Sequence, residues 1–252
     1  MEINTLLFLM GAGFVGAFID STVGGGGLVT TPALLATGMP VAYALGTNKV
    51  GAIMGCLTSV ISFWRAGKIN KALVYKLMPL SFLGSALGAY VVYLLPEALM
   101  KNIVVICLVC VAVYTYRRKD WGDISKVKVM TTSMATGAAA VAFSLGFYDG
   151  FFGPGTGSFL IFAFLYLGYD FVTAAGNAKA LNLASGVGAF LTFAVAGTIN
   201  WTYALVMGDS MIAGAFVGSK VAIKKGAQYV RPLYLIVTTL LIGKQVYDLF
   251  FK

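Results

Sequence analysis

Two lysines and two aspartates lie where this sequence leaves little room for charge. Lys49 closes the run Gly46-Thr47-Asn48-Lys49 and Lys179 closes Gly176-Asn177-Ala178-Lys179, each well inside a long apolar block. A cation at such a depth costs on the order of 3 kcal/mol on insertion scales, so it calls for a partner or a task. Asp20 and Asp149 each lead into a glycine-rich stretch: Asp20-Ser-Thr-Val-Gly24-Gly25-Gly26-Gly27 and Asp149-Gly-Phe-Phe-Gly153-Pro154-Gly155-Thr156-Gly157. Glycines open backbone conformations closed to other residues, and a helix that starts from such a turn points its N–H groups and positive dipole end at whatever lies beyond. The chemistry expected is the binding of a small anion. Gly24, Gly25, Gly26 and Gly27 would cradle it on one side and Gly153, Gly155, Thr156 and Gly157 on the other, with Lys49 and Lys179 supplying positive charge. Ser21, Thr22, Asn48, Asn177 and Asn182 are candidate hydrogen-bond donors. Asp20, Asp149 and Asp209 are candidates either to hold the lysines or to carry a coupling proton or cation. The competing expectations are a permanent Lys–Asp pair, a glycine turn that merely packs, and, for Asp209, a solvated helix end.

Other chemistries fall away. With no histidine, the Ser-His-Asp and Cys-His nucleophile arrangements are excluded, together with the commonest transition-metal ligand. Three cysteines do not complete a four-ligand zinc site. Cys107 and Cys110 form a C-x-x-C inside an apolar run and read as small buried hydrophobes on one helix face. Gly11-Ala-Gly13-Phe-Val-Gly16 fits a dinucleotide-binding pattern by letter, yet no strand precedes it. We therefore expect no enzyme activity, no cofactor and no metal.

The elements that must position these residues are membrane helices. Of 252 residues 59% are hydrophobic and 11% charged, about half the charged share of an ordinary soluble domain. Ten apolar blocks follow one another, five on each side of a polar connector, Arg117–Lys128. Met1–Asn4 carries an acid and no basic residue, so no cleaved signal peptide is expected and the first block should remain. The formal charge of +9 is expected from cytoplasmic loops, with no nucleic-acid partner. The halves resemble each other: adding 130 carries Gly46, Lys49, Gly67, Asn70, Gly84 and Gly88 onto Gly176, Lys179, Gly197, Asn200, Gly214 and Gly218, and adding 129 carries Asp20 and Gly24 onto Asp149 and Gly153. Gly84-x-x-x-Gly88 and Gly214-x-x-x-Gly218 are expected where the halves touch. Loop charge alternates between halves, with Arg65, Lys68 and Lys71 on one side of the comparison and Lys220, Lys224, Lys225 and Arg231 on the other. The resulting expectation is an all-α polytopic protein of two inverted-topology repeats, each a broken or re-entrant helical hairpin plus three transmembrane helices, about eight to ten segments in all. The expected division is 1–116 for the first repeat, 117–128 for a cytoplasmic connector and 129–252 for the second repeat, in the plasma membrane.

The tip Gly24–Gly27, the run Ala44-Leu-Gly-Thr-Asn-Lys49 and the stretch Gly146-Phe-Tyr-Asp-Gly-Phe-Phe-Gly-Pro-Gly-Thr-Gly-Ser-Phe159 resemble the TauE/SafE family of sulfite and organosulfur anion transporters, in particular its YfcA-like branch. The resemblance covers nearly the whole chain. It implies a helical membrane protein that moves sulfite, thiosulfate or sulfonates, often outward, and it marks the glycine tips and both lysine motifs as the binding region. The functional expectation is a secondary transporter of such anions, an exporter working by alternating access. An anion channel and an ion-coupled anion importer are the alternatives. Outward movement of one negative charge from a negative cytoplasm gains about 2.3 kcal/mol per 100 mV, so efflux of a bare anion needs no coupled ion.

Overall fold

Every described element is a helix, as the apolar composition requires of a chain whose backbone must satisfy its own hydrogen bonds in lipid. The structure, a computed structural model, describes residues 3–97, 99–100, 102–104, 106–107, 110 and 131–251, with side chains described as far as 226. In chain order the helices are α1 (Ile3–Val23), α2 (Gly27–Leu35), α3 (Val41–Arg65), α4 (Lys71–Leu94), α5 (Thr132–Phe151), α6 (Thr156–Tyr166), α7 (Phe171–Val195) and α8 (Trp201–Phe251). α8 is interrupted at Gly226, which takes a non-helical conformation.

Helix ends follow local chemistry. Asn70 caps α4 by accepting from the Leu73 N–H at 3.2 Å, and Asp170 caps α7 by accepting from the Thr173 N–H at 3.0 Å. α3 starts after Pro40 with no side-chain cap. Close helix contacts are made by glycine: Gly84 and Gly88 of α4 rest on the backbone at Phe143 and Phe147 of α5, and Gly214 and Gly218 of α8 rest on Phe14 and Phe18 of α1. Both small-residue motifs thus join the N-terminal half of the chain to the C-terminal half, as their spacing implied.

The segment count and the repeat architecture are corrected. Among the described residues five helices are long and apolar enough to cross a membrane: Ile3–Val23, Val41–Arg65, Lys71–Leu94, Phe171–Val195 and Trp201–Gly226. Eight to ten are not found, and no inverted pair of hairpins is discernible. α2 has 9 residues and α6 has 11, so at 1.5 Å per residue they reach only about 14 and 17 Å. α5 has 20 residues but is diluted by alanine, glycine, serine and threonine. α1 is long enough to cross unaided, so the turn after it comes at the end of a full helix and not at the middle of a re-entrant one. Loop charge reports which helix ends share a side; it does not establish that short apolar segments fold as mirrored hairpins. The connector 117–128 and most of the block 99–116 lie outside the described residues. Five such helices make this a multi-pass plasma-membrane protein in contact with the bilayer.

Candidate functional site

Helical spacing decides what the two lysines meet. On α3, Lys49, Ala52, Ile53 and Cys56 recur every three or four residues and form one face; on α7, Lys179, Asn182 and Gly186 do the same. These faces point inward, toward the turns Gly24–Gly26 and Gly153–Gly155 that precede α2 and α6. Both turns use conformations that favour glycine, with φ of 70° and 118° at Gly24 and Gly25 and of 93° and 88° at Gly153 and Gly155. The turns are packed on each other. A Cβ on Gly24 would run into the backbone of Gly157, and one on Gly27 would meet Pro154 at 2.9 Å.

Each lysine pairs with the aspartate of the other half of the chain. Lys49 Nζ lies 3.0 Å from Asp149 Oδ1 and donates to the Asp149 main-chain carbonyl at 2.6 Å. Lys179 Nζ donates to Asp20 Oδ2 at 2.6 Å. The remaining carboxylate oxygens are also satisfied, by different means. Asp20 Oδ1 accepts from the Gly25 and Gly26 N–H groups at 3.2 and 3.4 Å, so it caps the start of α2. Asp149 Oδ2 accepts from the Ser185 hydroxyl at 2.7 Å. Among the described residues no side chain accepts from the N–H groups of Gly155 or Gly157 at the start of α6.

Between these parts lies a cavity of about 40 Å³ walled by Asp20, Gly25, Gly26, Gly27, Thr30, Asn48, Lys49, Asp149, Gly153, Gly155, Gly157 and Asn182, with Ala52, Ile53, Cys56, Gly186 and Met211 filling the wall. Lys179 is not part of the wall: it is completely buried behind Asp20. Asn48, 7% exposed, has an Oδ1 with no hydrogen-bond partner. An amide in that state can be turned by a ligand to present its NH2 group.

The other expected residues are elsewhere. Ser21 donates to the Ala17 carbonyl and shares a 2.6 Å hydrogen bond with Ser59, and Thr22 donates to the Phe18 and Ile19 carbonyls, so both serve helix packing. Thr156 donates to the Gly153 carbonyl at 2.7 Å and, with the Tyr148 hydroxyl on the Pro154 carbonyl at 2.8 Å, fixes the second turn. Asn177 Oδ1 accepts from the Asn70 N–H at 2.7 Å, tying α7 to the turn before α4. Asp209 is exposed and does not line the cavity, because Gly208 faces α3 and Ser210 faces Gly13 of α1. Neither lysine pairs with it. Sequence reasoning missed Ser185, Ser158 and Cys56. Ser158 donates to the Val23 and Gly24 carbonyls at 3.0 and 2.7 Å, and Cys56 donates to the Lys179 carbonyl at 3.2 Å. Extending the helical spacing from Lys49 reaches Cys56; Ser185 needed knowledge of which helix lies opposite Asp149.

Comparison with known proteins agrees over the full length. A family described as "Sulfite exporter TauE/SafE" matches residues 9–244. A "Probable membrane transporter protein" of Haemophilus influenzae is 38% identical over 98% of this chain and 96% of its own length. "Probable membrane transporter protein ORF9" of a Sinorhizobium species is 37% identical over 94% and 91%, and "Probable membrane transporter protein YfcA" of Escherichia coli is 35% identical over 92% and 86%. No solved structure matches the chain.

Proposed function

Because the chain belongs to the TauE/SafE family, a family of membrane transporters and not of enzymes, we propose that it is a secondary transporter of small sulfur-containing oxyanions and that the cavity between the two glycine turns is where they bind. The observation that carries this is the convergence on one small space of Lys49, the N-terminus of α6 at Gly155–Gly157, and an asparagine Oδ1 that has no partner among the described residues. Backbone donors at a helix start together with a lysine are what an oxyanion requires. Size supports the inorganic members of the class. A water needs about 10–15 Å³ of such space, so the cavity takes roughly three or four water-sized groups, comparable to one sulfur with three oxygens.

The test is flux into proteoliposomes across sulfite, thiosulfate, methanesulfonate, sulfate and chloride, comparing native protein with Lys49→Gln. Saturable flux of a sulfur oxyanion, lost in the variant while the protein still folds, is the expected result. Chloride carried as fast as any sulfur anion, or conductance without saturation, would count against the proposal.

A further inference from the structure

The cavity that is to receive an anion holds no net charge of its own. Lys49 and Lys179 are offset by Asp149 and Asp20, and the wall itself carries Lys49 against both aspartates, with Lys179 behind. A monoanion entering this cluster leaves one negative charge uncompensated in a buried space, which is unfavourable unless a cation arrives with it. Resting on the functional proposal above, we infer that the anion binds together with one proton and that Asp149 is the residue that takes it.

The hydrogen bonds distinguish the two aspartates. Among the described residues the hydrogen bonds of Asp20 all come from donors that cannot also accept: two backbone N–H groups on Oδ1 and the Lys179 ammonium on Oδ2. A proton placed on either oxygen displaces one of these bonds. Asp149 Oδ2 faces the Ser185 hydroxyl, and the Ser185 oxygen is also 3.1 Å from the Asn182 carbonyl. When Asp149 gains a proton on Oδ2, its new O–H donates to Ser185 Oγ, and the Ser185 hydrogen turns to the Asn182 carbonyl. Every group remains satisfied. Lys49 keeps its 2.6 Å bond to the Asp149 main-chain carbonyl and is released from the carboxylate to meet the anion. No bond to the anion is made or broken; one proton enters from solvent and leaves with it. The other charged or titratable groups near Asp149 are Lys49 and Cys56 on α3, Lys179 on α7, Asp20 on α1 and Tyr148 on its own helix, while α4 meets α5 near the site through Ser81 and Ser85. Neutralising Asp149 therefore leaves the four-residue cluster with one positive charge for the anion to balance. A proton carried this way makes flux of a monoanion follow the pH gradient and cancels the outward drive that the membrane potential gives a bare anion.

The experiment uses proteoliposomes with the potential clamped at zero by potassium and valinomycin, and sulfamate and methanesulfonate as probes, since both are monoanions and neither titrates near neutral pH. With the interior one pH unit more alkaline, native protein should accumulate either probe about tenfold. Asp149→Asn should equilibrate the probe without accumulating it. Saturable native flux with no pH-driven accumulation, or accumulation driven by a sodium gradient instead, overturns the inference and leaves the transporter proposal standing. Persistence of tenfold accumulation in Asp149→Asn, with its loss in Asp20→Asn, overturns the choice of residue. Absence of native flux for both probes removes the transporter proposal and this inference with it. The native measurement decides the coupling even where a variant does not fold.

Discussion

The two buried ion pairs are made from residues that match across the halves of the chain at an offset of 129 or 130, yet they are not equivalent. At the Lys179–Asp20 corner, the lysine is fully buried, the carboxylate caps α2, and Gly24 is pressed against Gly157. Asp20 and its turn reach the cavity there, but the lysine does not. At the Lys49–Asp149 corner, the lysine reaches the cavity, the carboxylate leans on a hydroxyl, and among the described residues no side chain accepts from the Gly155 or Gly157 N–H at the start of α6. Similar sequence thus supplies two copies of a charged motif, and packing assigns one to hold the helices and one to face the cavity. What separates them is the access of each lysine to the cavity and the donor set around each aspartate.

The largest effect expected from this contrast is in stability. Lys179→Gln leaves Asp20 with only part of its donors and an uncompensated charge, which for a broken buried pair costs about 3–5 kcal/mol. Lys49→Gln leaves Asp149 beside Ser185, where it can take a proton, so the loss should fall near the roughly 1–3 kcal/mol of a single unsatisfied buried group. Thermal unfolding of the two variants in detergent measures the gap. Equal losses would mean that the corners are alike and that the distinction drawn from their hydrogen bonds is wrong.

A smaller effect should separate two asparagines near the lysines. Asn177 accepts from the Asn70 N–H, so Asn177→Ala orphans that donor and should lower stability by about 1–2 kcal/mol without changing the substrate concentration for half-maximal flux. Asn48 has an acceptor with no partner at the cavity wall. Asn48→Ala should leave stability nearly unchanged and raise KM about tenfold, the loss of one hydrogen bond to a charged group. Flux against concentration, set beside melting curves, reads both; a KM change in Asn177→Ala and none in Asn48→Ala would reverse their roles.

Much of this was legible in the residues. Composition announced a helical membrane protein, and the depth of Lys49 and Lys179 in apolar blocks called for a partner or a task, with pairing to Asp20 or Asp149 as one of the readings. The crossing of the pairs was not legible, because it depends on which helix of one half packs on which of the other. Treating the nine residues of α2 and the eleven of α6, each too short to span alone, as arms of mirrored broken hairpins overestimated the membrane segments. Asp209 had two readings, a coupling site and a solvated helix end, and its exposed position fits the second. One helix position separates a residue that faces α3 from one that faces outward, and the sequence carries no label for the direction of that face.

The smallest contrast lies at the outer ends of the two lysine helices, where Pro40 precedes α3 and Asp170, 130 residues on, precedes α7. Asp170 accepts from the Thr173 N–H and, on its other oxygen, from the Thr173 hydroxyl at 2.8 Å. Partial burial by itself would raise its carboxyl; the Thr173 hydrogen bonds, with the charge of Lys68 nearby, outweigh burial and hold it below the usual carboxylate value. A carboxyl held low in the folded state stabilises at pH values above its unfolded value of about 4, and that contribution is lost as pH falls through the lowered value. Asp170→Ala should therefore cost about 1 kcal/mol near neutral pH, the worth of an N-cap. The difference from native should shrink below pH 4. Asp170→Asn keeps an acceptor at the cap and removes the titration, so its stability should stay close to native at neutral pH while this acid-dependent part disappears. Melting curves from pH 7 to pH 3.5 measure both variants. An Asp170→Ala deficit that persists unchanged at pH 3.5 would show that the cap works through packing and not through its charge.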